Sequence, residues 1–306
     1  MSEINNLILE KYKKLWLENT TANIAEIKRN ASAEILKNAH KGGTAIIIGA
    51  GPSLDKNINQ LKKYASKIKT KKIKVICCDI TARRVRKYID IDYIVTLDGQ
   101  PEVADFFQGL KTDAALIAPV YVYTDVLKRF AGRKYFYNLY NQNNEECRVF
   151  FETLAELTGI KKYIQTGYIV FNTALSLSIE MGFSKVILMG HDLAYSDNKL
   201  YADGIKKNTA HTKFDTPETR QYSQLTEMSD ASVIDPATFE TIRTSRDFIS
   251  YAQFLLSCAN HIKIVNATEG GILRAAEYMY FCKRKNADKD FSYNRIAHIK
   301  FSGAIA

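Results

Sequence analysis

A chain of 306 residues with 46% hydrophobic and 25% charged positions has the composition of an ordinary globular protein and the length to bury a full core, which excludes the disordered and fibrous classes. Its formal net charge of +10 favours anionic partners such as nucleotides, nucleic acid or a membrane surface. No apolar run reaches the roughly 20 residues needed to span a bilayer, and the opening MSEINNLILEKYKKLW is too amphipathic and too acidic for a secretory signal. The expectation is a cytoplasmic protein, with a peripheral membrane contact through the basic stretch Lys283 to Lys300 as a compatible addition. Five scattered cysteines without CxxC spacing (Cys77, Cys78, Cys147, Cys258 and Cys282) suggest neither a disulfide framework nor a zinc site.

Along residues 5–39, apolar positions recur at helical spacing (Leu7, Ile8, Tyr12, Leu15, Trp16, then Ile24, Ile27, Ile35, Leu36) with no glycine or proline, which predicts two helices in an appended segment over residues 1–40. From residue 44 the rhythm changes to short β-branched runs, TAIIIGA, KVICCDI, YIVTLDG and AALIAPV, alternating with amphipathic stretches. The alternation continues through KYFYNLY, a helix over Tyr168 to Met181, the run KVILMGHD, a helix over Arg243 to Ala259, and HIKIVNA. Seven strand candidates predict an α/β fold, a Rossmann-like, doubly wound and mostly parallel sheet over residues 41–282. Residues 200–242 form a polar stretch too long for an ordinary connector, read as a lid-like insertion or a flexible excursion. Residues 283–306 read as a basic tail.

Ligands of such sheets bind beyond the carboxyl ends of the strands, so the strand ends carry the functional reading. In IIIGAGPSLD, Gly49 and Gly51 let the backbone approach a ligand, Pro52 follows, and Ser53 or Asp55 is placed to cap the next helix, whose free amides would face an anion. The spacing is neither GxGxxG nor GxxxxGK[ST], so neither NAD binding nor a Walker-type ATP site follows, and a plain structural turn is the alternative. Three strands finish in an acid, at Asp79, Asp98 and Asp192. Convergence of the three would suit Mg²⁺ bridging phosphates, or hydrogen bonds to ribose and sugar hydroxyls; the bland reading is that each caps a helix. The stretch GHDLAYSDNKLYADG adds His191, Tyr195 and Tyr201, with His191 read either as a general acid or base or as a structurally bonded ring. His211, in KKNTAHTKFD beside Lys206 and Lys207, is either brought over the site by loop closure or is an exposed loop histidine. Thr166, Gly167 and Asn172 stand near a helix start that could meet a second anion, and Asn266, Thr268 and Glu269 in VNATEGG make a strand end too polar to be explained by core packing.

Taken in order, GAGPSLD, DYIVTLDG, NTALSLSIEMGFSKVILMGHDLAY and VNATEGG resemble the family that groups archaeal MptE-like hydroxymethylpterin pyrophosphokinases with bacterial motility accessory factors, the Maf glycosyltransferases. The similarity spans Gly43 to Leu273; a more distant one links GAGPSL and the later Tyr–Ala pair to sialyltransferases that use CMP-sialic acid. The resemblance implies a nucleotide held at Gly49, Gly51, Pro52 and Ser53, with Asp98 and Asp192 at the shared strand edge. It further implies a CMP-activated nonulosonic acid as donor, a flagellin or glycan hydroxyl as acceptor, and no required cofactor. His191 departs from the glutamine expected there, and by analogy with the sialyltransferases His211 is the candidate base. The alternative activity is Mg²⁺-dependent diphosphoryl transfer from ATP to 6-hydroxymethyl-7,8-dihydropterin, with Asp79, Asp98 and Asp192 as metal ligands. A third class, nucleic-acid or membrane-surface binding, rests on charge alone, whereas the polar strand ends ask for a small buried ligand.

Overall fold

A computed structural model describes residues 2–140, 145–196, 199–205, 230–287 and 295–305. All seven predicted runs enter one sheet: β2 (Thr44–Ile48), β3 (Lys74–Cys78), β4 (Tyr93–Val95), β5 (Ala115–Pro119), β6 (Lys134–Leu139), β8 (Lys185–Met189) and β11 (Lys263–Asn266). Three two-residue strands, β1 (Ala31–Ser32), β7 (Tyr163–Ile164) and β12 (Ala297–His298), complete a 10-stranded sheet in the order β1-β6-β5-β4-β3-β2-β8-β11-β12, with β7 on β6. Every pairing within it is parallel. The central strands are covered on both faces, which is why TAIII, KVICC and KVILM read as unbroken apolar runs instead of alternating ones.

Helices clothe both faces of the sheet. Ile46 and Ile48 of β2 join a core built with Leu54, Ile58 and Leu61 of α2 (Leu54–Thr70), while Ala45 and Ile47 face a second core built with Ala174 and Leu175. The other helices are α1 (Ser2–Arg29), α3 (Asp79–Val85), α4 (Ala104–Phe107), α5 (Thr124–Arg129), α6 (Glu145–Thr158), α7 (Val170–Glu180), α8 (Arg246–Cys258), α9 (Leu273–Ala287) and α10 (Phe301–Ile305). Among the described residues no helix is long and apolar enough to cross a membrane.

The amino-terminal segment differs from expectation. It is one 28-residue helix, α1, and the chain then pairs Ala31 and Ser32 with β6, so these residues join the sheet. Nothing between residues 5 and 29 interrupts the helix, and tertiary contacts decide its length. Trp16 stacks on Tyr121 at 4.5 Å between ring centroids, and Asn19 Nδ2 donates to the carbonyls of Gly99 (2.8 Å) and Tyr121 (3.1 Å). Asn23 does the same for Val120 and Val122. Helix α1 thus holds the loops that leave β4 and β5. Within the polar stretch, β9 (Ala231–Ile234) and β10 (Thr241–Thr244) form an antiparallel hairpin. Residues 206–229, which include His211, Lys206 and Lys207, lie outside the described residues. The supposed basic tail carries β12 and α10, whose Phe301 and Ile305 are buried.

Candidate functional site

Strand order reverses between β2 and β8: the chain winds outward from β2 through β3, β4, β5 and β6, then returns to add β8 and β11 on the other side. Such a switch point opens a crevice at the carboxyl edge. The loops at its two lips are the predicted Gly49–Ser53 and Gly190–Asp192, and here they close on each other. Gly49 N donates to Met189 O at 2.8 Å and Gly51 N to Gly190 O at 2.7 Å. A Cβ on Gly49 would lie 2.5 Å from Gly190 O, and one on Gly51 would lie 2.1 Å from Asp192 Oδ1, so both glycines are required by close approach within the protein.

Asp192 completes the closure. Its Oδ2 accepts from Ser53 N (2.9 Å) and its Oδ1 from Ser53 Oγ (2.6 Å). The next amides, of Leu54, Asp55 and Lys56, bond to carbonyls of Gly51, Pro52 and Ser53. The start of α2 was expected to offer free amides to a phosphate; instead it faces an internal carboxylate. Neither predicted cap operates. Ser53 Oγ is committed to Asp192, and Asp55 pairs with Arg84 and accepts from Asp203 N. Burial raises the Asp192 carboxyl to about 6, against the opposing bonds from Ser53.

The other residues flagged around the switch point also have internal partners. The His191 ring is buried, stacked on Phe171 at 3.7 Å and 9°, with Nε2 unpartnered among the described residues, and desolvation drives its pKa down to about 3. A buried neutral ring with so low a pKa is a poor proton shuttle near neutrality, which favours the structural alternative for His191. Asn266 bonds His298 and the Thr268 amide, Thr268 Oγ1 accepts from His191 N, and Glu269 accepts from Phe301 N. The polarity of VNATEGG therefore serves the backbone of its neighbours, an internal use that the sequence did not reveal. Thr166 is buried and accepts from Tyr168 N; Gly167 lies against Phe254 at φ +50; Asn172 donates to the carbonyls of Gly167 and Tyr251. Tyr195 is buried and stacked on Phe248.

One strand over, the geometry is different. Asp79 starts α3 at the end of β3, buried, with Oδ2 accepting from Thr96 Oγ1 (2.6 Å) and Oδ1 from Ile80 N (2.7 Å). Desolvation, with the nearby charge of Asp98 adding to it, lifts its pKa to about 7. Asp98 follows β4 and is exposed, on the loop that Asn19 holds at Gly99. Tyr201 is half-buried against the core; desolvation, then Asp98 and Asp79, push its hydroxyl to about 12. Asp79, Asp98 and Tyr201 therefore share one electrostatic neighbourhood. The expected three-acid convergence does not occur: Asp192 turns to Ser53, and among the described residues no group of three or more His, Cys, Asp or Glu side chains is placed to hold a metal ion.

The sequence reading missed two features here. Arg83 and Arg84, on α3 just beyond Asp79, line a hollow with Asp105 and Gly204. The pair Asn19 and Asn23, spaced four apart on an otherwise apolar face of α1, was a readable signal for a polar clamp.

Comparison with known proteins agrees with this architecture. The family model described as 6-hydroxymethylpterin diphosphokinase MptE-like matches residues 18–198. An uncharacterized protein of Treponema pallidum (strain Nichols) is 35% identical over 60 residues, and the chain spans 20% of that protein's length. The solved structure of MAf glycosyltransferase from Magnetospirillum magneticum AMB-1 superposes with a TM-score of 0.54 at 15% identity, over 83% of this chain and 37% of that one. At that identity the likeness is one of fold.

Proposed function

The chain belongs to the 6-hydroxymethylpterin diphosphokinase MptE-like family, and on that premise we propose that it is a transferase that takes a nucleotide-activated donor and passes its sugar to a hydroxyl acceptor. The observation that carries this reading is the electrostatic coupling of Asp79, Asp98 and Tyr201, with the two acids at the carboxyl ends of β3 and β4. Exposed Asp98 offers a hydrogen-bond acceptor to a polyhydroxylated ligand, and buried Asp79, whose oxygens accept from Thr96 and the Ile80 amide, has a pKa of about 7 and so changes charge near neutral pH. The closed α2 start supports a donor with little phosphate charge, because Asp192 already occupies that anion position. We take the donor to be a CMP-linked nonulosonic acid and the acceptor a flagellin or glycan hydroxyl, in the cytoplasm. In the reaction the acceptor oxygen bonds to the anomeric carbon, the sugar–phosphate bond breaks with its electron pair on the phosphate, and the acceptor's proton leaves to a base.

The family description favours a second reading, diphosphoryl transfer from ATP to a pterin alcohol. Mg²⁺ commonly uses one or two carboxylates together with substrate phosphates, so Asp79 and Asp98 are the residues that would hold it. The ion would neutralise phosphate charge during transfer.

Thermal-shift titration with CMP, CDP, AMP, ATP and GTP, each with and without Mg²⁺, on the wild type and Asp98→Ala separates the readings. Metal-independent stabilisation by cytidine nucleotides that is lost in Asp98→Ala supports sugar transfer. Stabilisation by ATP only with Mg²⁺ transfers the assignment to diphosphoryl transfer, and no response to any nucleotide overturns both.

A further inference from the structure

Between α3, α4 and the segment leading to Gly204 lies a small, half-open hollow with a cavity volume of about 20 Å³, lined by Ile80, Arg83, Arg84, Asp105, Phe106 and Gly204. Its walls carry more guanidinium than the protein itself satisfies. The Arg84 side chain is 16% exposed; one terminal nitrogen contacts Asp55 at 2.5 Å, while Nη1 is buried without a hydrogen-bond partner among the described residues. A buried charged donor without an acceptor is costly, so such a nitrogen points to an acceptor that arrives from outside. Arg83 spends Nη2 on the backbone carbonyls of Asp105 and Gln108 and has no carboxylate within ion-pair distance among the described residues.

The carboxylates nearby do not cancel this charge. Asp55 answers one side of Arg84 and the amide of Asp203, and Asp105 is bonded to Arg129 at 3.2 Å. Arg83 is left over. Both arginines sit about one helical turn, ~6–8 Å along the axis, beyond Asp79 on the same short helix. The hollow and Asp79 are thus joined by one element.

We infer that this hollow is an anion subsite in which Arg83 and Arg84 bind a phosphate-class group. That the group is the phosphate of a nucleotide donor bound at Asp79 and Asp98 rests on the function proposed above; the anion site itself does not. Guanidinium forks match phosphate oxygens in two-point contact, and at Gly204 no atom of the described residues lies within 4 Å of where a side chain would project.

The test is calorimetric titration of inorganic pyrophosphate, CMP and cytidine onto the full chain and onto Arg83→Met and Arg84→Lys, with each fold checked by circular dichroism. Pyrophosphate and CMP binding should weaken roughly ten- to a hundredfold in Arg83→Met, and less in Arg84→Lys, while cytidine binding stays unchanged. Arg83 contacts only backbone carbonyls, so its variant carries the test if the Arg84 variant loosens Asp55. Equal CMP affinity in wild type and variants overturns the subsite and leaves the nucleotide reading standing. Arginine-dependent pyrophosphate binding without any CMP or cytidine binding sustains the subsite and removes the nucleotide donor. Binding of none of the three probes overturns the subsite.

Discussion

Ser53 gives both its amide and its hydroxyl to the carboxylate of Asp192, 139 positions further along the chain. The anion that a helix start attracts is here part of the protein, so the switch point is a clasp joining the two halves of the sheet, and the exposed acid, Asp98, lies two strands away beyond β4.

If the clasp holds the halves together, its removal costs stability. Asp192→Ala leaves two buried donors on Ser53 unanswered, at about 1–3 kcal/mol each. Gly51→Ala and Gly271→Ala each place a Cβ 2.1 Å from an atom of Asp192, and Gly271 adds a φ of +75. Gly204→Ala, at φ +70 in open space, bears only the backbone term of about 1–2 kcal/mol. Urea denaturation should rank Gly51→Ala and Gly271→Ala well below Gly204→Ala; equal losses would remove the clasp from the account.

Asp79 makes stability depend on pH in an unusual direction for an acid. Its folded pKa, about 7, lies above the ordinary 3.8, so between those values the folded state holds a proton that the unfolded state releases. Its contribution is complete below pH 3.8 and is lost as pH rises through 7, by an amount on the order of a few kcal/mol. Asp192 adds a change of the same sign between 3.8 and about 6. Asp79→Asn should flatten the upper part of the stability–pH curve, as measured by thermal melts from pH 4 to pH 8.

His191 acts oppositely. With a folded pKa of about 3 against 6.5, it is neutral in the fold and takes up a proton on unfolding, so its effect is a loss of stability as pH falls from 6.5 towards 3. His191→Phe should gain on the wild type in melting temperature as the pH drops from 7 to 5. A constant gap between the two across that range would contradict the buried neutral ring. If the chain has the transferase activity proposed above, that activity should survive the substitution, since a ring buried neutral is poorly placed to take a proton.

Asn19 links helix α1 to the acid pair. Asn19→Ala removes two bonds to carbonyls beside Asp98, at about 1–3 kcal/mol in total. Trp16→Ala removes a ring that stacks on Tyr121 and lies against Gly99, at about 3–5 kcal/mol. Both should weaken the nucleotide binding proposed above, whereas Lys28→Ala, on the same helix, should change neither quantity. Donor affinity unaffected by Asn19→Ala at full folding would detach α1 from the site.

The central strands were legible because a strand buried on both faces must be continuously apolar, and KVICC or KVILM admits few other readings. Strands β1, β7 and β12 were not legible, since two residues carry no period and neighbouring backbone creates them. The strand-end acids were located correctly, but sequence could not tell which acid a distant serine would capture. Ser53 and Asp192 look as available as Asp79 and Asp98 until the sheet brings β2 and β8 together. Arg83 and Arg84 were passed over because arginines on a helix read as solvated surface; their position one turn after a strand-end acid was the available signal.

The pairing of Thr44 with Lys185 also bears on how the protein is made. Synthesis proceeds from the amino terminus, so β2 meets β3 early and then presents its other edge, TAIII, bare until Lys185–Met189 has cleared the ribosome. An unpaired, wholly apolar edge invites pairing with another chain. Nascent chains stalled before residue 185 should aggregate or recruit chaperones, and those extended past Met189 should escape both fates.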